Sequence, residues 1–263
     1  MSEAAVISHP RDVFALNGAE AAEQAWLDAL ERGRMHHAWL LVGPEGIGKA
    51  TFAYRAARRL LGARPDASHG LLGSDPDHPV TRQPPRGVLF LVCHAPGRLL
   101  PTLRSRCRRL LFRPWPDAEV AAFAVEQGGL SPEEAERIAP MAQGAPGRAI
   151  TLARAKALEV DHAAHELLRQ LPQADESTLL ALAGEFRGAA GQERFDLLFE
   201  RLAQQVKAMI EGTVGRPGSG PLPPWLDAWD LLTRLPAEAE ALNLDRQDAF
   251  WTAVAALRQA ARA

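Results

Sequence analysis

Ala38-Trp39-Leu40-Leu41-Val42-Gly43-Pro44-Glu45-Gly46-Ile47-Gly48-Lys49-Ala50-Thr51 is the stretch that decides the fold. An uninterrupted apolar run reads as a buried strand. The glycine-rich segment 43–48 follows it, and a helical pattern runs over 49–61. Strand, glycine-rich loop and helix in that order make a phosphate-binding loop. Its backbone N–H groups can wrap a phosphate at the helix N-terminus, and Lys49 can reach the outer oxygens. Gly43, Gly46, Gly48, Lys49 and Thr51 are therefore candidate nucleotide-binding residues. Position 50 is Ala, where a Ser or Thr hydroxyl would hold Mg²⁺, and the Thr comes one residue late. No apolar strand downstream ends in an Asp pair that could hold the metal from the other side. ATP is expected to bind weakly or vestigially, and Mg²⁺ is expected to be held poorly.

Outward from this loop, the pattern alternates and then changes character. A helix with Leu16, Ala21, Trp26, Leu27 and Leu30 on one face is expected over 19–32. Residues 62–86 hold Gly70, Gly73, Pro76, Pro79, Pro84 and Pro85 and read as loop. Segment 87–93 reads as a strand buried on both faces in a parallel sheet, 94–98 as a turn, 99–106 as a short helix and 109–112 as a last strand. Pro114-Trp115-Pro116 marks a boundary, and beyond it the pattern is helical. Ser131-Pro132-Glu133-Glu134 is a helix start with a capping box. Gly144-Ala145-Pro146-Gly147 breaks the pattern before a helix that begins with Arg148. Amphipathic segments from Val160 onward are interrupted at Pro172, at 188–191 and over a flexible stretch 212–224. The expected fold class is α/β plus α: an α/β P-loop module over 1–113, a small helical module over 114–158 and a helical bundle over 159–263.

Composition narrows the function. The 263 residues carry a net charge of −2 and only one Tyr. A near-neutral chain without an aromatic-plus-basic platform argues against a stand-alone DNA-binding protein. The two cysteines, Cys93 and Cys107, suit a reducing compartment and do not make a zinc ribbon. Cys107 reads as a buried structural thiol, since no His sits near it in sequence. His36 and His37 read as packing or capping residues, and Asp75, Asp77 and His78, interleaved with prolines, as a solvated loop. No metal site is expected. No apolar run approaches the ~20 residues of a membrane helix, and no signal peptide is read at the start, so a cytoplasmic protein is expected.

The loop 43–51, Pro101-Thr102-Leu103-Arg104-Ser105-Arg106-Cys107 and Gly144-Ala145-Pro146-Gly147-Arg148 occur in the order of the clamp-loader AAA+ proteins, which the chain resembles. With His37-Ala38-Trp39 and His94-Ala95-Pro96, the likeness is greatest to the delta-prime subunits of bacterial DNA polymerase III. Ala241-Leu242-Asn243-Leu244-Asp245 extends it loosely into the C-terminal bundle. The resemblance implies a non-motor subunit whose helical bundle joins a collar with gamma/tau-like motor subunits and a delta-like subunit. The assembly acts on a sliding clamp and primed DNA in replication. It implies that Arg106 is an arginine finger offered to a neighbour's ATP site, where a fixed, always-charged fork stabilises γ-phosphate charge. Arg148 matches the family's second sensor arginine. No intrinsic polymerase chemistry is implied. The alternatives are a P-loop ATPase active in its own right and a non-functional deletion product.

The chain departs from the family between Lys49 and Arg106. The family has two further strands there, one with the metal-side acidic residues, and 62–86 is too short and too poor in strand pattern to hold them. An internal deletion with its junction near Gln83/Pro84 is expected, with exposed sheet edges as its consequence.

Overall fold

The computed structural model describes residues 9–77, 80, 87–171, 173–213 and 222–262. The chain divides into two compact units, Met1–Leu152 and Ala153–Ala263. The first mixes helices with a small parallel sheet and the second is helical, an α/β plus α fold.

In the first unit, α1 (Glu20–Glu31) precedes β1 (Ala38–Val42), which runs through the glycine loop into α2 (Lys49–Leu60). Then come β2 (Leu89–Cys93), the short α3 (Pro101–Arg106) and β3 (Arg108–Leu111). The sheet order is β2-β1-β3 and both pairings are parallel. In parallel strands, paired residues share a face and alternate along the chain. One face therefore carries Trp39, Leu41, Phe90, Val92 and Leu110. Trp39, Leu41 and Leu110 are buried there with Trp26 of α1 and Phe52 of α2, and Phe90 packs against this core. The opposite face carries Leu40, Leu89, Leu91, Cys93, Arg109 and Leu111.

That opposite face corrects the expectation of a strand buried on both sides. β2 pairs as expected, yet on that face Leu89 is 54% exposed and Leu111 of β3 60%, and on the first face Val92 is 42% exposed. The second face is closed at Ala38 and Leu40 of β1 and at Cys93, all of them buried. A parallel sheet ordinarily has helices over both faces; here α1 and α2 cover the first face at β1, and the outer strands stay partly open. The junction expected near Gln83 and Pro84 lies outside the described residues, as does His78. The preceding loop is irregular, with a 3-10 turn at Ala67–His69 and a lone bridge between Pro65 and Ser74.

Three helices complete this unit: α4 (Asp117–Gly128), α5 (Pro132–Ile138) and α6 (Pro146–Arg154). α5 opens with the expected capping box, in which Ser131 and Glu134 satisfy each other's backbone N–H groups. α4 stops at Gly129, which takes the left-handed conformation at φ 67°.

The second unit consists of α7 (Ala157–Gln170), α8 (Glu176–Gly184), α9 (Gly188–Thr213), α10 (Leu222–Leu242) and α11 (Arg246–Arg262). α9 packs on α7 and α10, and α10 packs on α11. Phe186, Phe195 and Phe250 meet edge to face, with Phe199 tilted against Phe195. The helices part near both expected breaks, between α8 and α9 and between α9 and α10, but helix takes in some of the residues expected to break. Residues 188–191 are the first turn of α9, and 212–213 are its end. Leu222-Pro223-Pro224 is the first turn of α10, where prolines are tolerated because those N–H groups have no intrahelical acceptor. Pro236 sits inside α10, where it removes one helical hydrogen bond. Pro172 and residues 214–221 lie outside the described residues.

Candidate functional site

The glycine loop turns sharply out of β1, and left-handed backbone at Gly46 (φ 76°) and Gly48 (φ 93°) shapes it. Gly48 is the N-cap of α2, so the loop ends on a helix N-terminus with its positive end of the dipole. Lys49 is the first residue of α2 and is 2% exposed. Its Nζ donates to Gly43 O at 2.6 Å and to Pro44 O. It lies 3.1 Å from His94 Nδ1, just past β2, so a neutral ring with that nitrogen unprotonated supplies a third acceptor. Burial pushes the Lys49 ammonium below its usual range, opposed by the charge of Glu45 and by Cys93. The lysine is thus bound to its own loop.

The turn at the start of α6 meets this loop through backbone. Gly147 N donates to Gly46 O at 3.0 Å. A Cβ on Gly46 would lie 2.5 Å from Arg148 N, and one on Gly147 would lie 2.6 Å from Gly46 O. No side chain fits between these two segments. A cavity of about 590 Å³ opens beside them, lined by Gly46, Gly48, Lys49 and Thr51 and by apolar Leu16, Trp115, Phe123 and Ile150. A mostly apolar hollow with a few convergent polar groups is the usual character of a small-molecule site.

The expected site residues thus divide. Gly46, Gly48, Lys49 and Thr51 share the cavity, and Gly43 holds Lys49 from beneath. Arg148 is half-buried at the start of α6, with its backbone against Gly46. Arg106 is elsewhere: it ends α3, is exposed, and does not line the cavity. A cation there is favourable at a helix C-terminus. His94, which the sequence offers as a turn residue and within the resemblance but not as a site residue, is the residue missed; no spacing signal connects it to Lys49.

Cys107, expected to be a buried thiol, is not fully buried, while Cys93, at the end of β2, is. His36 and His37 stack at 4.5 Å, and His36 Nδ1 bonds the backbone of Ala38. Among the described residues, no group of three or more His, Cys, Asp or Glu is placed to hold a metal ion, and no helix is long and apolar enough to cross a membrane.

One further constellation went unforeseen. Glu23 of α1 and Arg55 of α2 are each 1% exposed, with Oε1 and Nη1 2.8 Å apart. That contact attracts charge to charge but is misaligned for a hydrogen bond. Arg55 Nη2 donates to His69 O at 2.5 Å, and Glu23 Oε2 accepts from Leu72 N at 3.3 Å. The pair ties the 67–72 loop to both helices. Burial pushes the Glu23 carboxyl up, with Arg55 and the Leu72 N–H opposing.

No protein-family model matches the chain, and no curated protein matches it.

Proposed function

We propose that the chain is a non-motor, delta-prime-like subunit of a bacterial DNA polymerase III clamp loader, built on a shortened AAA+ module. The observation that carries the reading is the junction of two motifs distant in sequence: the Gly144–Arg148 turn closes on the glycine loop through Gly147 N and Gly46 O. This is the nucleotide-side arrangement the resemblance implies. The loop's glycines and the Lys49 ammonium fit a phosphate, but Lys49 must first leave the carbonyls of Gly43 and Pro44. Ala50 offers no hydroxyl to Mg²⁺. Both features favour assembly over ATP turnover. In this role Arg106, exposed and away from the chain's own cavity, completes a neighbour's ATP site, and the bundle of α7–α11 joins the collar.

The test mixes the chain with gamma/tau-like and delta-like subunits and measures DNA-stimulated ATP hydrolysis. Arg106→Ala is expected to lower the rate at least ~10³-fold at the site it completes while the complex stays assembled. An unchanged rate removes the finger. Failure to assemble favours the second reading, a non-functional deletion product. That reading also has its own observation in the open sheet face at Leu89 and Leu111.

A further inference from the structure

We propose that the free edge of β2 pairs with β2 of a second copy of this chain, antiparallel about a two-fold axis and in a register centred on Leu91. The inference is independent of the clamp-loader reading.

The backbone sets the geometry. In a parallel ladder, alternate residues direct both N–H and C=O to the same side. Leu89 N donates to His37 O just before β1, so Leu89, Leu91 and Cys93 face β1. Phe90 and Val92 therefore direct their backbone groups outward, and among the described residues no hydrogen bond reaches them. Those groups form a template for an added strand.

The two sheet edges are not alike. The outer strand β3 carries Arg108 and Arg109, both exposed, and Pro114 follows soon after. Charges and prolines are the devices that keep an edge from pairing. β2 is Leu-Phe-Leu-Val-Cys, without charge, proline, glycine or bulge, and its register with β1 is continuous. An uncharged edge selects an uncharged strand, and the strand in this chain that is both uncharged and at an edge is β2 itself.

The register then follows. In an antiparallel pair, directly opposite residues exchange both hydrogen bonds when both point toward the partner. Phe90 must sit opposite Val92 of the second copy, and Val92 opposite Phe90. Both outward pairs are then used within the strand, and Leu91 lies on the axis. Shifting the register by two residues in either direction leaves one of these residues facing beyond β2. The centred register also places Leu89, 54% exposed, against Cys93, and Val92, 42% exposed, against Phe90. It thus covers both exposed side chains of the strand. A two-fold axis normal to the sheet keeps like faces together, giving one continuous sheet of order β3-β1-β2-β2-β1-β3.

Two measurements on the full chain test this. Sedimentation across a concentration series is expected to shift from 28.5 kDa toward twice that mass. Val92→Lys, at a half-exposed site, is expected to abolish the shift while the circular dichroism is unchanged. The second measurement reads the register. Leu89 and Cys93 form a non-hydrogen-bonded pair, for which Cα atoms are ~4.5 Å apart, within the ~4.4–6.8 Å that a disulfide spans. A Leu89→Cys, Cys107→Ser chain, mildly oxidised, is expected to give a covalent dimer on a non-reducing gel, and adding Cys93→Ser is expected to abolish it. A chain that stays at 28.5 kDa overturns the proposal. So does a dimer that Val92→Lys leaves intact, or one that the introduced thiol does not crosslink.

Discussion

Replacing Arg55 by Met leaves the Glu23 carboxylate buried with the Leu72 N–H as its remaining partner, and it orphans the His69 carbonyl. Breaking a buried ion pair from one side costs about 3–5 kcal/mol, because the remaining charge has lost its compensation. For a chain of this size each kcal/mol moves the midpoint by about 2–4 °C, so the expected drop is ~6–20 °C. The pair itself is not ideal: Nη1 and Oε1 are close but misaligned, and Arg55 Nε has no hydrogen-bond partner. Glu23→Leu combined with Arg55→Met is therefore expected to return to within ~1 kcal/mol of the parent or to exceed it, since apolar replacements of buried pairs are often neutral or stabilising. The pH dependence has a definite sign. Glu23 titrates above its unfolded value of 4.5, so the folded state holds the proton more tightly. Its contribution is fully present below that value and is lost as pH rises through the folded pKa. Without Arg55 the folded value rises further, so the deficit of Arg55→Met is expected to shrink as pH falls. Urea unfolding followed by tryptophan fluorescence reads this core, because Trp26 and Trp39 are fully buried in it. A single-variant loss below ~1 kcal/mol, or a double variant equal to the sum of the singles, refutes the reasoning.

Gly147→Ala places a Cβ 2.6 Å from Gly46 O and is expected to cost about 1–3 kcal/mol in thermal unfolding. Gly184→Ala, where nothing lies within 4 Å, is expected to be neutral or to gain up to ~1 kcal/mol. Glu166 is held down to about 2 by hydrogen bonds from Arg169 and then Gln170. Its contribution is expected to be present above 4.5 and to fade as pH falls toward 2, so the melting difference between the parent and Glu166→Ala closes over that range.

The loop and the strand before it were legible because periodicity, glycines and Lys49 all point to one local structure. The contact at the start of α6 was not, since no local pattern says that Gly147 approaches Gly46; the resemblance alone placed the two together. β2 was misread for a definite reason: an all-apolar strand reports the residues it contains, while its burial depends on what lies beside it. The breaks before α9 and α10 were legible but their bounds were not, because Gly188, Gly191, Pro223 and Pro224 sit at helix starts, where breakers are tolerated. The Glu23–Arg55 pair did leave a signal. Glu23 falls on the apolar stripe with Ala19, Ala22, Trp26 and Leu27, and Arg55 falls with Phe52 and Ala56. Opposite charges at core positions of two helices flanking one strand are candidates for each other.

The order of the strands in space bears on how the chain is made. β1 is the centre of the sheet and is synthesised first, while its partners come much later: Ala38 pairs with Leu89, and Trp39 with Arg108. During synthesis the strand that ends up most buried must wait, unpaired, until both neighbours have emerged. Parallel, non-local pairing of this kind is slow, and the waiting segment is exposed to wrong partners. Production of this chain is thus expected to be limited by the speed of synthesis and the supply of chaperones before it is limited by the stability of the finished fold.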